Sequence, residues 1–94
     1  MFSKVPIDLD EVRDIDIDKE MLRAALMAEF DAINLYEQMA AKTKDEDIKK
    51  VMFEVAKEEK EHVGEFEEML LRKDKQQVEE LEEGKEEVKE ITGK

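Results

Sequence analysis

The chain has 94 residues, enough for one small domain, and carries 16 basic against 28 acidic side chains, a net charge of −12. Such an acidic surface repels phosphate backbones, which argues against a nucleic-acid partner. There is no cysteine for a disulfide or a thiolate metal site, and no apolar run reaches the roughly 18 residues of a membrane span, so we expect a cytoplasmic protein with no membrane contact.

The composition is typical of long helices, because charged residues make up 47% of the chain and there are only three glycines and one proline. We expect an all-α fold in three segments: an acidic N-terminal arm (1–17), a two-helix hairpin (18–72) and a short C-terminal helix with its tail (73–94). The arm is expected to hold a short turn or strand-like piece. Asp18 is predicted to cap a first helix that runs to about Lys42. One face of this helix is apolar: Leu22, Ala25, Ile33, Tyr36 and Ala40.

A second helix is predicted to begin at the capping box Thr43-Lys44-Asp45-Glu46 and to run to about Arg72. It also carries an apolar stripe: Ile48, Met52, Val55, Phe66 and Met69. Because the connection is very short, the two helices must form an antiparallel hairpin.

The third helix is predicted to start after Asp74, with Gln77 three residues on, and to break or bend near Gly84. Its apolar residues are few: Val78, Leu81, Val88 and Ile91. A helix this short and charged cannot cover the hairpin's apolar face. A second copy is the simplest cover, so a symmetric dimer that completes a four-helix bundle is expected.

Three ionisable residues interrupt the apolar stripes. Glu29 lies within the first stripe, and Glu59 and His62 lie one turn apart within the second. An unpaired charge in a dry core costs several kcal/mol, so these side chains should be paired or should bind a cation. The alternative is that the two glutamates pair with lysines at the stripe edge while His62 packs in the core.

The spacing of these three residues favours binding of a cation over pairing with lysines. Glu29 lies 14 residues before Thr43, and Glu59 and His62 lie 16 and 19 residues after it, so all three reach about the same height in the hairpin. Di-iron carboxylate bundles take one Glu from each of two helices and a Glu-x-x-His from each of the other two. Two copies of this hairpin supply that set, whose oxygen and nitrogen donors suit iron(II), with manganese or zinc as competitors.

Residues near this predicted site allow two interpretations. Tyr36, two turns after Glu29, is either a hydrogen-bond donor to a ligand or an ordinary half-buried tyrosine. Glu54, Glu58, Glu61 and Glu65 form an acidic stripe, with Asp31 on the other helix. These acids either hold a second cation or form a solvated face.

Over residues 18–93 the sequence resembles the encapsulated ferritins of the ferritin-like superfamily. The resemblance is carried by Glu29 within Ala28-Glu29-Phe30-Asp31-Ala32-Ile33-Asn34-Leu35-Tyr36-Glu37, and by Glu59 and His62 within Glu58-Glu59-Lys60-Glu61-His62-Val63-Gly64-Glu65-Phe66. It implies a ferroxidase with two irons per dimer, bound by Glu29, Glu59 and His62, and with dimers closing into a ring-shaped decamer.

The resemblance further implies enclosure in an encapsulin shell, a nanocompartment that stores the oxidised iron. It also implies a secondary site for calcium or another divalent cation, to which Asp31 corresponds, whereas Ala28 replaces an expected acid. The last residues, Glu90-Ile91-Thr92-Gly93-Lys94, show no shell-targeting tail, so the chain is either a domain of a shell fusion or cargo held in another way. Two other functions stay open: a non-catalytic helical oligomerisation module, and a rubrerythrin-like di-iron peroxidase, which would need an external electron donor.

Overall fold

The computed structural model describes residues 8–94, and every regular element in that part of the chain is helical. Two short 3-10 turns, at Leu9–Glu11 and Asp14–Asp16, come first. Three α-helices follow: α1 at Ile17–Lys42, α2 at Glu46–Lys73 and α3 at Lys75–Thr92. The prediction of an antiparallel helix pair followed by a shorter helix is confirmed. The described part of the predicted arm contains turns and no strand, and residues 1–7 lie outside the described part.

The start of α1 differs from the prediction. The helix begins at Ile17, so Asp18 is not its cap and lies in the first turn, where a carboxylate interacts favourably with the helix dipole. Asp16 holds the N-cap position, but its carboxylate makes no capping bond. It accepts a hydrogen bond from Arg13 Nε at 2.8 Å, and this bond is the main cause of its lowered pKa.

The turn between α1 and α2 is built differently from the predicted capping box. Asp45, and not Thr43, caps α2: its Oδ1 accepts hydrogen bonds from the backbone N–H groups of Asp47 and Ile48 at 2.9 and 3.1 Å. The Thr43 hydroxyl accepts the N–H of Asp45 at 3.2 Å. An ionised carboxylate is the stronger acceptor, and Asp45 stands directly before the first helical residue.

The core is a narrow seam between α1 and α2. Its buried apolar residues are Ile33, Ala40, Ala56 and Leu70. The small side chains of Ala40 and Ala56 let the two helix backbones approach closely. Ile48 and Met69 of the predicted α2 stripe are each 45% exposed. The stripe therefore extends beyond the seam onto one face of the hairpin.

Asp74 alone joins α2 to α3 and ties α3 to the hairpin. Its Oδ1 accepts the N–H of Gln77 at 3.0 Å, as predicted for an N-cap, and its Oδ2 accepts a hydrogen bond from Arg23 of α1 at 2.9 Å. The predicted break near Gly84 was wrong, because α3 is continuous through it. A helical glycine costs only about 1 kcal/mol relative to alanine, which does not stop a helix. The helix ends at Gly93, whose φ of 73° is the left-handed conformation that glycine favours.

The described chain is flat and extended. It measures 46 × 44 × 19 Å, with a radius of gyration of 16.7 Å against the roughly 12 Å expected of a compact chain of this length. Beyond its junction with α2, α3 projects away from the hairpin, so within residues 8–94 it does not cover the exposed apolar face of α1 and α2. Among the residues that the structure describes, no helix has the length and apolarity to cross a membrane.

Candidate metal centre

The structure brings together the three ionisable residues that interrupt the apolar stripes. Glu29 extends from the middle of α1, and Glu59 and His62 extend from adjacent turns of α2. One potential ligand atom from each lies within 4.8 Å of the others, and no other such group of acidic or histidine side chains occurs within residues 8–94. The carboxylate side chains are mostly buried, at 17% and 20% exposure, whereas the His62 side chain is 45% exposed.

One imidazole nitrogen faces both carboxylates. His62 Nδ1 lies 3.3 Å from Glu59 Oε2 in hydrogen-bond geometry. It lies 3.4 Å from Glu29 Oε2, but that pair is not aligned for a hydrogen bond, and the buried Glu29 Oε2 has no hydrogen-bond partner in the described chain. A single nitrogen carries at most one hydrogen, so it cannot satisfy both oxygens. A bound cation would satisfy all three groups.

The alternative of lysine pairing does not agree with this geometry. In the part of the chain that the structure describes, no lysine or arginine forms an ion pair with Glu29 or Glu59. The nearby Lys60 instead pairs with Glu37 at 2.8 Å. Nor is His62 packed in a core, since almost half of its side chain is accessible.

The site opens onto an apolar surface that residues 8–94 leave exposed, the hairpin face, defined here by Met21, Met39, Ile48, Val51 and Met69. Val51 and Met69 lie 11 and 7 residues from His62, about three and two helical turns, so they share its side of α2. Between 38% and 61% of each of these five residues is exposed. An apolar surface of this kind around polar ligands is typical of a site completed by another molecule.

The donor set also fits a particular class of metal. Two carboxylates with one imidazole suit iron(II), manganese or zinc, and the absence of thiolates disfavours copper(I). Three donors from one chain would leave further coordination positions of such an ion open. The buried Oε2 of Glu29, which accepts no hydrogen bond in the described chain, is an oxygen that a bound cation would satisfy.

An antiparallel helical hairpin that brings two glutamates and a histidine together is typical of ferritin-like domains. The chain belongs to the EncFtn-like family, whose sequence profile matches residues 6–86. It is 60% identical over 74 residues to the ferritin-like-encapsulin shell fusion protein of Pyrococcus furiosus, an alignment of 79% of this chain with 21% of that protein. Its fold matches the crystal structure of the encapsulated ferritin domain from Pyrococcus furiosus with a TM-score of 0.85 and 49% identity, over 100% of this chain and 96% of that one.

These comparisons confirm the resemblance to encapsulated ferritins and the predicted fold. The chain spans about one fifth of the length of the fusion protein that it matches and corresponds to nearly all of the separate domain of known structure.

The other predicted site residues lie outside the cluster. Tyr36 is half-buried, and within residues 8–94 its hydroxyl makes no hydrogen bond to the three ligand-type residues. Glu58, Glu61 and Glu65 are exposed on α2, while Asp31 is half-buried on α1. In the described chain these four acids do not converge as a group of ligands. The second cation site and the role of Tyr36 therefore stay predictions.

Proposed function

We propose that the chain is a ferroxidase that binds Fe(II) as its substrate through Glu29, Glu59 and His62 and oxidises it to Fe(III) with dioxygen. The observation that carries this proposal is the buried Glu29 oxygen, which accepts no hydrogen bond in the described chain and lies beside the same imidazole nitrogen as Glu59. The single chain holds the two carboxylates close together although like charges repel, and it leaves the Glu29 oxygen without a hydrogen bond. A divalent cation removes both penalties.

The site is completed by a second copy across the hairpin face. A dimer about a two-fold axis places two sets of ligands together, giving four carboxylates and two imidazoles for two irons. Four negative charges would balance the charge of two bound Fe(II) ions. Each Fe(II) would give one electron to the same dioxygen molecule, which would take up two protons from water and leave as hydrogen peroxide, so that two Fe(III) are the product.

The relative that is fused to an encapsulin shell supports a further part of the proposal. The chain acts inside a cytoplasmic encapsulin nanocompartment, as part of a ring-shaped decamer built from such dimers, and its Fe(III) product is stored within the shell. Family membership supports this partner and this chemistry, and the exposed apolar surface of the hairpin supports self-association.

Oxygen consumption after anaerobic loading with Fe(II) tests the catalytic claim. Glu59→Ala should lower the rate by on the order of 100-fold while leaving the helical circular dichroism unchanged, because it removes a ligand and not a core residue. Glu54→Ala is the matched control, since Glu54 is exposed on the same helix and outside the cluster. An unchanged rate in Glu59→Ala refutes the proposed site. If the wild-type protein assembles normally but binds none of the added Fe(II) and consumes no oxygen, it is the non-catalytic oligomerisation module instead.

A further inference from the structure

Two methionines of α2 flank the candidate metal centre. Met52 lies seven residues before Glu59, and Met69 lies seven residues after His62. Seven residues are about two helical turns, or roughly 10 Å along the axis, so both methionines share the side of α2 that carries the ligands. Met52 is half-buried and Met69 is 45% exposed. The centre therefore has one methionine of α2 on each side.

Helix α1 places a second methionine toward each end of the same face. Met21 and Met39 are 18 residues apart, which is five whole turns, so they project from one side of α1. They are 48% and 38% exposed. Because the chain reverses between α1 and α2, Met21 lies toward the same end of the hairpin as Met69, and Met39 toward the same end as Met52. These two sets, Met21 with Met69 and Met39 with Met52, are called here the methionine pairs.

The fifth methionine within residues 8–94 faces the other way. Met27 is two residues before Glu29, a rotation of about 200° around α1, so it projects from the side opposite the metal centre. It is 43% exposed, close to the values for Met21 and Met69. Met27 is thus matched to them in exposure and differs from them in its position relative to the centre.

The chemistry of the thioether gives the methionine pairs a substrate. Methionine and cysteine are the side chains that peroxide oxidises most readily, and the chain has no cysteine. The proposed ferroxidase releases hydrogen peroxide between the hairpin faces of two copies. Peroxide that leaves along this face passes one methionine pair or the other before it reaches the solvent.

We propose that the methionine pairs are oxidation sites that reduce the peroxide leaving the metal centre to water. The sulfur gives an electron pair, the O–O bond breaks, one oxygen forms the S–O bond of methionine sulfoxide, and the other leaves as water. This inference rests on the proposed function, which supplies the peroxide. Packing alone does not require sulfur, because leucine fills nearly the same volume and is as good a helix former.

Peptide mass spectrometry after aerobic oxidation of Fe(II) tests the proposal, with catalase present to destroy peroxide that has reached the solvent. Sulfoxide at the methionine pairs should exceed sulfoxide at Met27 by about tenfold. Hydrogen peroxide added to the metal-free protein without catalase should oxidise Met27 at least as much as the pairs, because the exposures are similar. Equal oxidation of Met27 and the pairs during iron turnover, or oxidation of the pairs that catalase abolishes, overturns the proposal.

Leucine variants give a second test, in which the peroxide recovered per dioxygen consumed is measured without catalase. In the first turnovers this ratio should be severalfold below one for wild type and for the matched control Met27→Leu. It should approach one for the variant that combines four changes: Met21→Leu, Met39→Leu, Met52→Leu and Met69→Leu. A wild type that consumes dioxygen and releases one peroxide for each, with no sulfoxide, keeps the ferroxidase and overturns this inference. A wild type that consumes no dioxygen refutes the proposed function and removes both.

Discussion

Replacing Glu29 by glutamine should stabilise the metal-free protein while it destroys metal binding. The carboxylate oxygens of Glu29 and Glu59 and His62 Nδ1 all lie within 4.8 Å of one another. Two like charges at that distance repel by about 3 kcal/mol at an effective dielectric constant of about 20. Solvent at the edge of the site reduces this, and we expect a gain of about 1–2 kcal/mol in the free energy of unfolding, partly because the amide can donate a hydrogen bond.

The assay is thermal unfolding at a fixed protein concentration, with and without Fe(II) under anaerobic conditions. Without metal, Glu29→Gln should unfold roughly 5–10 °C above wild type, as about 1–2 kcal/mol implies for a domain of this size. With Fe(II) at about 100 times the dissociation constant, the free energy of unfolding should rise by about 2.7 kcal/mol for wild type and stay unchanged for the variant.

The control lies two turns along the same helix. Glu37→Gln removes a solvent-accessible ion pair with Lys60, so it should destabilise the protein by at most about 1 kcal/mol and leave the metal-induced gain intact. If Glu29→Gln lowered the stability of the metal-free protein, the view of this site as an unsatisfied cluster of ligands would be refuted.

Three further predictions concern the supporting structure. Asp45→Ala removes the N-cap of α2 and should cost about 1 kcal/mol in urea unfolding, more than the same change at Thr43. Val51→Glu places a charge on the hairpin face and should leave circular dichroism unchanged while sedimentation shows loss of that dimer and titration shows loss of tight Fe(II) binding. The hydrogen bond from the Gln77 N–H, and after it Arg23, lowers the pKa of Asp74, so its stabilisation is complete above the ordinary aspartate pKa of about 3.9 and is lost as the pH falls through the lowered value. Asp74→Asn should therefore be less stable than wild type near neutrality, and the difference should shrink in acid unfolding experiments.

The grouping of Glu29, Glu59 and His62 could be predicted from the sequence because helices are regular. A fixed rise and a short turn determine which residues of a hairpin reach the same height, so Glu29 could be matched with Glu59 and His62 before their distances were known. What the pattern does not contain is the placement of individual atoms. The lack of a hydrogen bond to Glu29 Oε2 in the described chain follows from rotamers and alignment.

The predictions that were wrong concern local choices between near-equal alternatives. Thr43 and Asp45 both offer an oxygen that can cap α2, and they differ in position by only two residues. No prediction was made of which α2 residues face α1. The rotation of α2 about its axis decides that Ala56 and Leu70 do, whereas Ile48 and Met69 of the predicted stripe lie on the exposed face. A broad apolar stripe does not specify that rotation. Gly84 weakens α3 without ending it, because its cost is small compared with that of a proline.

Native mass spectrometry of the anaerobic protein titrated with Fe(II) tests the shared iron site most directly. Iron should appear in pairs and only on dimers or their multiples, with Val51→Glu monomers and Glu59→Ala dimers both remaining free of it. Tight binding of one iron by a monomer, or dimers that take up no iron when Fe(II) is in excess, would contradict a centre formed by Glu29, Glu59 and His62 of two copies.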